Sequence, residues 1–385
     1  MKLAFFTSIV PDGNPTTGFE IANDAIVSGM RDLGHQVVVF GFKLPRQAVV
    51  QTNNNLVVLG TRELENSSTG TFGKLIWLLQ AMRHGLPFAA AKLADFSTAG
   101  LDAAIDRAGP FDGYVLNSYQ MAAAFPQLCD VPHIYVAHNV EHQSARQNAD
   151  AVKSSLESWL YQRDAKLLEP LEKKLTQGAN FVWSFSADDI AEFDLPSQKG
   201  CFLPLFIPDA QRTDEKLEKS FDVGLIGTWS WQPNFVGLKW FVEEVGPLLP
   251  LTMKIAVAGS VPNKDLGAGR NFQFLGRVGS ATAFLESVHI VPLVSRGGTG
   301  VQLKTIEAFQ AGYPSVATSS SVRGVDSLPS NCLVADEPQA FADALIDLVN
   351  QSKSGQLPAV DGRQFYARQK TAMTLGLEKG ISLLA

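Results

Sequence analysis

The segment PLVSRGGTGVQLKTIEAFQAGYP, residues 292–314, decides the fold. It contains an apolar run, a glycine-rich turn, a helical pattern that ends at Gly312, and the start of a second apolar run. That order is typical of a strand, a helix and a parallel strand. Glycines let a backbone approach a phosphate closely, and the start of the following helix offers N–H groups and the positive end of a dipole. The segment therefore predicts a site for the phosphates of a nucleotide.

Short apolar runs alternate with longer helical patterns along the whole chain, and the alternation occurs twice. The first half contains seven predicted strands, at residues 2–7, 36–40, 56–59, 114–117, 134–137, 181–185 and 202–205. The second half contains six, at residues 222–227, 254–258, 272–275, 290–293, 315–317 and 333–334. Helices are predicted near residues 22–33, 236–245, 281–286, 303–311 and 338–350. Runs of this length that follow one another with helices between them indicate buried parallel strands.

The length of 385 residues is too great for one ordinary core. We predict an α/β fold of two Rossmann-like lobes that face each other across a cleft. The first lobe covers residues 1–206 and the second covers residues 207–362, with the polar segment 207–219 as the linker. A last helix, at residues 363–385, is expected to cross back to the first lobe. Open parallel sheets bind ligands at the carboxyl ends of their strands, so the site residues should follow strands.

Composition excludes several classes of protein. The net charge of −6, with scattered Lys and Arg, argues against a nucleic-acid partner. The three cysteines lack the paired spacing of a zinc or redox site. Pro11, Asp12 and Asn14 interrupt the apolar start before a signal peptide is complete. No window reaches the ~20 apolar residues of a membrane span, so we expect a cytoplasmic protein.

Three blocks of the second half resemble family 4 glycosyltransferases. In the first block, Lys304, Glu307-Ala308, Gly312, Pro314 and residues 316–318 follow the family's order. The second block, GTWSWQPN at residues 227–234, is similar to the subgroup that builds exported polysaccharides. The third block lies at residues 256–259 and 274–278. The resemblance covers most of residues 221–335 and implies a GT-B fold in which the second lobe holds a nucleotide-sugar donor.

The resemblance implies a retaining transfer of a sugar from a nucleoside diphosphate sugar to a saccharide or lipid-linked saccharide, in surface or exported polysaccharide synthesis. Glu307 lies seven residues beyond Gly300, about two helical turns, and its two oxygens would accept the ribose hydroxyls. The amides of Gly300 and Val301, with Lys304 or Arg296, would stabilise the charge on the leaving diphosphate. The other candidates for the donor site are Gly227, Gly298 and Thr299.

The first half carries two further candidates from the same resemblance. Gly18 occupies the place of the family's glycine loop, which closes on the donor phosphates, although many relatives have two adjacent glycines where this chain has Gly18-Phe19. His138 follows the predicted strand 134–137 and resembles the family's cleft histidine, which orients the transferred sugar. Ser184 and Ser186 match a third signature. His138, Lys304 and Glu307 are therefore the residues that we expect to act in the transfer.

No metal or other cofactor is expected, because helix ends and basic side chains can carry a diphosphate. A rival interpretation comes from residues 138–142, HNVEH, which match the inverted zinc-peptidase motif H-x-x-E-H. That motif needs all five residues in one helix, whereas a strand pattern directly precedes His138. A third interpretation is purely structural: Asn139 caps the next helix and Glu141 lies in its first turn.

Several alternatives stay open at this point. The apolar stretch 72–83, with basic residues at both ends, is either a helix packed on the sheet or a peripheral contact with the inner face of a membrane. Trp229 and Trp231 are either cleft walls or core. Thr299 stands where many relatives have a first glutamate that contacts the donor sugar. Thr299, together with Gly18 without a second glycine, leaves a non-catalytic nucleotide-sugar-binding protein of the same fold as one alternative function. A sugar-nucleotide epimerase is the other, because a fold alone does not settle the chemistry.

Overall fold

The computed structural model describes residues 1–13, 15, 17–47, 54–66, 68–152, 154–207, 218–262, 266, 271–297 and 300–384. The chain divides into two compact units. The first unit contains Met1–Leu205 and Thr371–Ala385, and the second contains Phe206–Lys370. The predictions for Gly298, Thr299 and most of the linker 207–219 lie outside the described residues.

The first unit is built on a parallel sheet of seven strands in the order β3-β2-β1-β4-β5-β6-β7. This order matches the Rossmann arrangement with one strand added at the edge. The three central strands are buried along almost their whole length, which explains why they read as continuous apolar runs. The strands are β1 (Lys2–Ile9), β2 (Gln36–Lys43), β3 (Leu56–Thr61), β4 (Gly113–Asn117), β5 (His133–Ala137), β6 (Phe181–Ser184) and β7 (Gly200–Phe202).

Eight helices of the first unit connect these strands within the described residues: α1 (Gly18–Asp32), α2 (Thr71–His84), α3 (Phe88–Ala91), α4 (Thr98–Ala108), α5 (Tyr119–Ala124), α6 (Glu141–Ala151), α7 (Ser155–Gly178) and α8 (Ala187–Glu192). Their apolar faces pack with the sheet into a core that includes Phe6, Phe40 and Tyr135. Within the described part of the chain, no helix is long and apolar enough to cross a membrane.

The second unit repeats the same topology with six parallel strands, in the order β10-β9-β8-β11-β12-β13. The strands are β8 (Phe221–Ile226), β9 (Ile255–Ala258), β10 (Phe272–Gly276), β11 (Val288–Leu293), β12 (Ser315–Ala317) and β13 (Cys332–Val334). The helices are α9 (Gln232–Trp240), α10 (Ala281–Glu286), α11 (Leu303–Gln310) and α12 (Pro338–Lys353). Two core clusters, one around Trp229 and Phe241 and one around Phe309, pack with this sheet. The predicted α/β class with two parallel sheets is confirmed.

The predicted strands and helices differ from the structure mainly at their ends. The bounds of the strand predicted at 202–205 are wrong, because β7 covers Gly200–Phe202 and pairs with β6 there. Leu203 and Leu205 are buried beyond its end, so their apolar pattern reflects the core and not the strand. Helix α1 begins earlier than predicted, at Gly18, because Thr17 and Glu20 form a reciprocal capping box.

The last helix, α13 (Gly362–Ile381), contributes to both units. Its residues up to Lys370 belong to the second unit and those from Thr371 to the first. In the first unit, the indole Nε1 of Trp183 donates to the main-chain oxygen of Gly376 at 2.9 Å. Gly380 leaves room for the same indole, since a Cβ there would lie 2.7 Å from the ring. The end of α13 is therefore packed closely on β6.

Candidate functional site

Both sheets have a point where the strand order reverses, between β1 and β4 in the first unit and between β8 and β11 in the second. Connections leave the sheet in opposite directions at such a point and open a crevice at the carboxyl ends of the strands. Most of the predicted site residues follow strands next to these two points. The residues of each unit form a separate group.

The second-unit group is organised by the turn between β11 and α11. Gly300 has a φ of +73°, a backbone conformation that glycine adopts without strain. Gln302 is the N-cap of α11, and its side chain makes no capping hydrogen bond. The first main-chain N–H groups of a helix have no partner inside the helix, and they carry the positive end of its dipole. The helix start next to Gly300 and the half-buried Val301 therefore carries the positive partial charge on which the predicted phosphate site depends.

Buried hydroxyl groups hold this turn in place. The Ser321 hydroxyl accepts a hydrogen bond from the Ser295 amide at 2.7 Å and donates to the Leu293 carbonyl at 2.7 Å. Thr318 donates to the carbonyl of Ser295, and Thr305 of α11 donates to the carbonyl of Ser321. The turn is therefore fixed both to the end of β12 and to the helix that it precedes. These hydrogen bonds are a physical reason for a threonine at position 318, the last residue of the first block that resembles family 4 glycosyltransferases.

Lys304 is the cation of this group. Its Nζ donates to Asn234 Oδ1 at 3.2 Å and lies 5.7 Å from the centre of the Trp229 ring. Burial lowers the pKa of the Lys304 ammonium to about 8. Trp229 belongs to the core, and its Nε1 donates to the carbonyl of Ala258 at 2.7 Å. Gly227 makes room for the indole, because a Cβ there would lie 3.0 Å from the ring.

The sequence did not determine whether Trp229 and Trp231 belong to the core or to the wall of a cleft, and the structure places them in different environments. Trp229 is a core residue that lies beneath Lys304. Trp231 is exposed on the surface of the second unit.

Glu307 lies exposed one turn after Lys304, so both side chains leave the same side of α11. Partial desolvation raises the pKa of the Glu307 carboxyl above its usual range. The spacing places a cation and a carboxylate side by side, beyond a helix start that can bind an anion. The arrangement is compatible with the predicted binding of a phosphate by Lys304 and of a ribose by Glu307.

Arg296 is directed elsewhere. Its guanidinium donates to the carbonyl of Asp336 at 2.8 Å and lies 4.4 Å from the centre of the Trp240 ring. Of the two basic candidates for the diphosphate, the structure brings only Lys304 to Asn234 and the start of α11.

The first-unit group begins at the N-terminus of α1, where Gly18 is exposed. Glu20 accepts hydrogen bonds from the Thr17 amide at 2.9 Å and from Arg46 at 3.1 Å. Arg46 in turn binds Glu65 at 3.0 Å. A buried carboxylate and an arginine therefore fix the turn that carries Gly18.

His138 follows β5 and lies between two aromatic rings. Phe19 and Phe185 each place their ring centre 4.8 Å from that of the imidazole. The imidazole Nε2 is 2.8 Å from Asn117 Oδ1, at the end of β4. Burial lowers the pKa of His138 to about 3, so the ring is neutral at physiological pH. Phe19, which replaces the second glycine of many relatives, thus contacts the histidine of the predicted site.

The zinc-peptidase interpretation of residues 138–142 is wrong, because His138 lies before α6 and His142 lies inside it. The two imidazoles have different partners, Asn117 for His138 and Glu172 for His142. Among the described residues, no group of three or more His, Cys, Asp or Glu side chains is arranged to hold a metal ion.

The predicted cap of α6 by Asn139 is also wrong. The N-cap is Val140, and Asn139 donates to the Glu141 side chain. The cap comes from α7, where the buried carboxylate of Glu172 accepts the amides of Glu141 at 2.7 Å and of His142 at 3.0 Å. Glu141 does lie in the first turn, where burial raises the pKa of its carboxyl to about 7.

Ser184 and Ser186 have different positions in the structure. Ser186 caps α8 by accepting the amide of Asp189. Ser184 is fully buried at the end of β6, and no described group forms a hydrogen bond with its Oγ.

Asn117 also belongs to the first-unit group, although it is not among the predicted site residues. Its position as the last residue of β4 was the available signal, since it predicts a side chain at the same sheet edge as His138.

A family model supports the resemblance in the second half. Residues 220–351 match the model described as Glycosyl transferases group 1. This segment contains Gly227, Lys304 and Glu307 and therefore the whole second-unit group. No curated protein matches the sequence.

Solved structures share the architecture over almost the entire chain. Sucrose-phosphate synthase from Thermosynechococcus elongatus is 14% identical, with a TM-score of 0.68 and coverage of 98% of this chain and 97% of its own. WaaG, a glycosyltransferase involved in lipopolysaccharide biosynthesis, is 15% identical, with a TM-score of 0.63 and coverage of 100% and 99%. HepE from Anabaena, in complex with UDP and glucose, is 13% identical, with a TM-score of 0.60 and coverage of 99% and 99%. The chain therefore contains a glycosyl transferase group 1 domain at residues 220–351, and its two units have the α/β architecture of the GT-B fold seen in these solved structures.

Proposed function

We propose that the protein transfers a glycosyl group from a nucleoside diphosphate sugar to a saccharide or lipid-linked saccharide acceptor, with retention of anomeric configuration, in the synthesis of a surface or exported polysaccharide. The observation that carries the donor assignment is the second-unit group, in which Lys304 lies at the start of α11, next to the glycine turn, and Glu307 lies one turn further along. The comparisons support the same class, since HepE was solved with UDP and glucose and WaaG acts in lipopolysaccharide biosynthesis.

The chemistry follows from the charges of this group. When the bond between the sugar and the diphosphate of the donor breaks, negative charge develops on the leaving diphosphate. The ammonium of Lys304 and the N–H groups at the start of α11 are fixed before the reaction, so they stabilise this charge without reorganisation. Asn234 and the Trp229 ring hold the ammonium in position. Glu307 would accept the two hydroxyls of the ribose.

We expect the reaction to need no metal ion, because the helix start and Lys304 would carry the diphosphate charge. In the first unit, His138 would contact the transferred sugar, and Gly18 at the start of α1 would approach the donor phosphates.

A thermal-shift screen tests the donor assignment. The purified protein is heated with UDP, GDP, ADP and their glucose or mannose esters, with and without a chelator. Ligands that bind only the folded state raise the melting temperature. Selective stabilisation by one nucleotide, unchanged by chelator, is expected. No stabilisation by any nucleotide would refute the donor site, and loss of stabilisation with chelator would refute metal independence. Formation of an epimeric nucleotide sugar in the absence of acceptor would instead favour an epimerase, and binding without consumption a non-catalytic protein.

We also propose that α2 binds the inner face of an anionic membrane, near a lipid-linked acceptor. Five large apolar side chains of α2, each exposed by 41–76%, share one face of the helix: Phe72, Leu75, Ile76, Leu79 and Met82. The opposite face buries Trp77 and Ala81. The helix contains no acidic residue and carries Lys74, Arg83 and His84, although the chain has a net charge of −6. An apolar face on a helix that carries basic residues towards both ends and no acidic residue fits a bilayer of anionic lipids.

Vesicle sedimentation tests this surface. The protein should bind vesicles of phosphatidylcholine with phosphatidylglycerol more strongly than vesicles of phosphatidylcholine alone. Leu79→Glu should abolish the binding, because it places a negative charge on the apolar face. Leu251→Glu is the matched control, since Leu251 is a leucine of the second unit that is exposed by 74%, compared with 60% for Leu79. Equal sedimentation of both variants, or a self-association that only Leu79→Glu disrupts, would contradict a membrane partner.

A further inference from the structure

A buried chain of hydrogen bonds connects the main chain of β1 to His138. Asn23 Nδ2 donates to Thr7 Oγ1 at 3.0 Å, and Asn117 Nδ2 donates to Asn23 Oδ1. Asn117 Oδ1 then faces His138 Nε2 at 2.8 Å. Thr7, Asn23 and Asn117 are at most 1% exposed. The chain therefore runs through the core of the first unit, below the carboxyl ends of β1, β4 and β5.

The direction of this chain is set at its first member. The Thr7 hydroxyl donates to the carbonyl of Ile9 at 3.3 Å, and a carbonyl can only accept. Because the single proton of the hydroxyl is used there, Thr7 Oγ1 can only accept from Asn23. The amide of Asn23 is then oriented with its oxygen towards Asn117, and the amide of Asn117 with its oxygen towards His138. Reversal of the chain would forfeit the bond to Ile9.

The tautomer of His138 follows from this direction. Asn117 Oδ1 is an acceptor, so the imidazole Nε2 must carry a proton. Phe19 and Phe185 enclose the ring, and burial lowers the pKa of His138, so the ring holds one proton and no more. The other nitrogen, Nδ1, is left with a lone pair. It can form a hydrogen bond only with a group that donates.

We propose that Thr7, Asn23 and Asn117 are positioning residues that hold His138 in its Nε2–H tautomer, so that Nδ1 accepts a hydrogen bond from a hydroxyl of the transferred sugar. This inference rests on the proposed contact between His138 and that sugar. A carboxylate at the same position would bring two acceptors together and be rejected. This chain of hydrogen bonds therefore selects a donor sugar that places a hydroxyl opposite Nδ1, and it rejects one that places a uronic acid carboxylate there.

Nitrogen NMR tests the tautomer without any substrate. The chain has six histidines, and the His138→Gln variant assigns the His138 signals in protein labelled with ¹⁵N-histidine. We expect a protonated Nε2 and an unprotonated Nδ1 at neutral pH. In Asn117→Asp, a carboxylate beside Nε2–H should raise the pKa of His138, so that Nδ1 takes up a proton as the pH falls. A proton on Nδ1 in the wild type, or no change in Asn117→Asp, would overturn the role of the chain.

Two substitutions test the contact with the sugar separately. The amide oxygen of asparagine can replace the Nδ1 acceptor, whereas glutamine mainly replaces Nε2. Titration with UDP-glucose should show an affinity loss of about tenfold or more for His138→Gln and a smaller loss for His138→Asn, as expected for one hydrogen bond. A greater loss in the asparagine variant would overturn the acceptor role of Nδ1. Equal results for all three proteins would overturn the sugar contact, while the NMR result on the tautomer would still stand.

Discussion

At the scale of single residues, Glu307 is the clearest test of the donor site. Glu307→Gln should weaken nucleotide binding about tenfold or more, because the hydrogen bonds of a charged carboxylate to two hydroxyls are lost or weakened. Calorimetric titration with the nucleotide that the thermal screen selects measures this. Glu243→Gln is the control, since Glu243 is an exposed glutamate of the same unit, and its carboxylate lies 3.7 Å from the ammonium of Lys239. Equal affinities of the two variants would exclude Glu307 from the site.

Lys304 gives a second prediction at this scale. Its pKa of about 8 means that its ammonium loses its proton as the pH rises from 7 to 9. Affinity for a nucleoside diphosphate should therefore fall several-fold over this range, since the neutral amine no longer attracts the phosphates. Lys304→Arg should bind with little dependence on pH, because a guanidinium stays charged. An equal decline in both proteins would assign the titration to another group.

At the scale of elements, Glu172 of α7 binds the first turn of α6, a connection that no local sequence pattern predicts. Glu172→Ala leaves two amides and one imidazole nitrogen of α6 without their acceptor. We expect the free energy of unfolding to fall by about 2–4 kcal/mol, measured by urea denaturation. Glu169→Ala, one turn earlier on α7, removes only an exposed pair with Arg146 and should cost less than about 1 kcal/mol. A similar loss in both variants would contradict the capping role.

The bounds of some helices and strands can be predicted from the sequence, whereas a cap supplied by a distant residue cannot. The strand at 315–317 and the helix at 281–286 were predicted with the bounds that the structure has, because their residues carry a clear period and clear end signals. The cap of α6 could not be predicted, since Glu172 lies about thirty residues beyond it in the chain. The sequence offered Asn139, the nearest residue of the capping type, and distance along the chain was a poor guide to distance in space.

At the scale of the whole molecule, α13 is the element that both units share. Gly380→Ala would bring a methyl group to 2.7 Å from the Trp183 indole. We expect a loss of about 1–3 kcal/mol, despite the better helix propensity of alanine. Gly178→Ala at the end of α7 meets no atom within 4 Å and should be neutral or stabilising. Thermal unfolding of both variants measures the difference, and equal melting temperatures would show that α13 does not need this close approach.

Several features follow from the amino-acid sequence alone: the α/β class, the two parallel sheets, the glycine turn before α11 and the resemblance to glycosyltransferases. These features depend on local period, turn residues and motif order, all of which are written along the chain. Only the tertiary structure decided that Trp229 is core while Trp231 is exposed, that Arg296 binds Asp336, and that Asn117 meets His138. Those partners are far apart in sequence, so their contacts depend on how the sheets and helices pack and not on any local pattern.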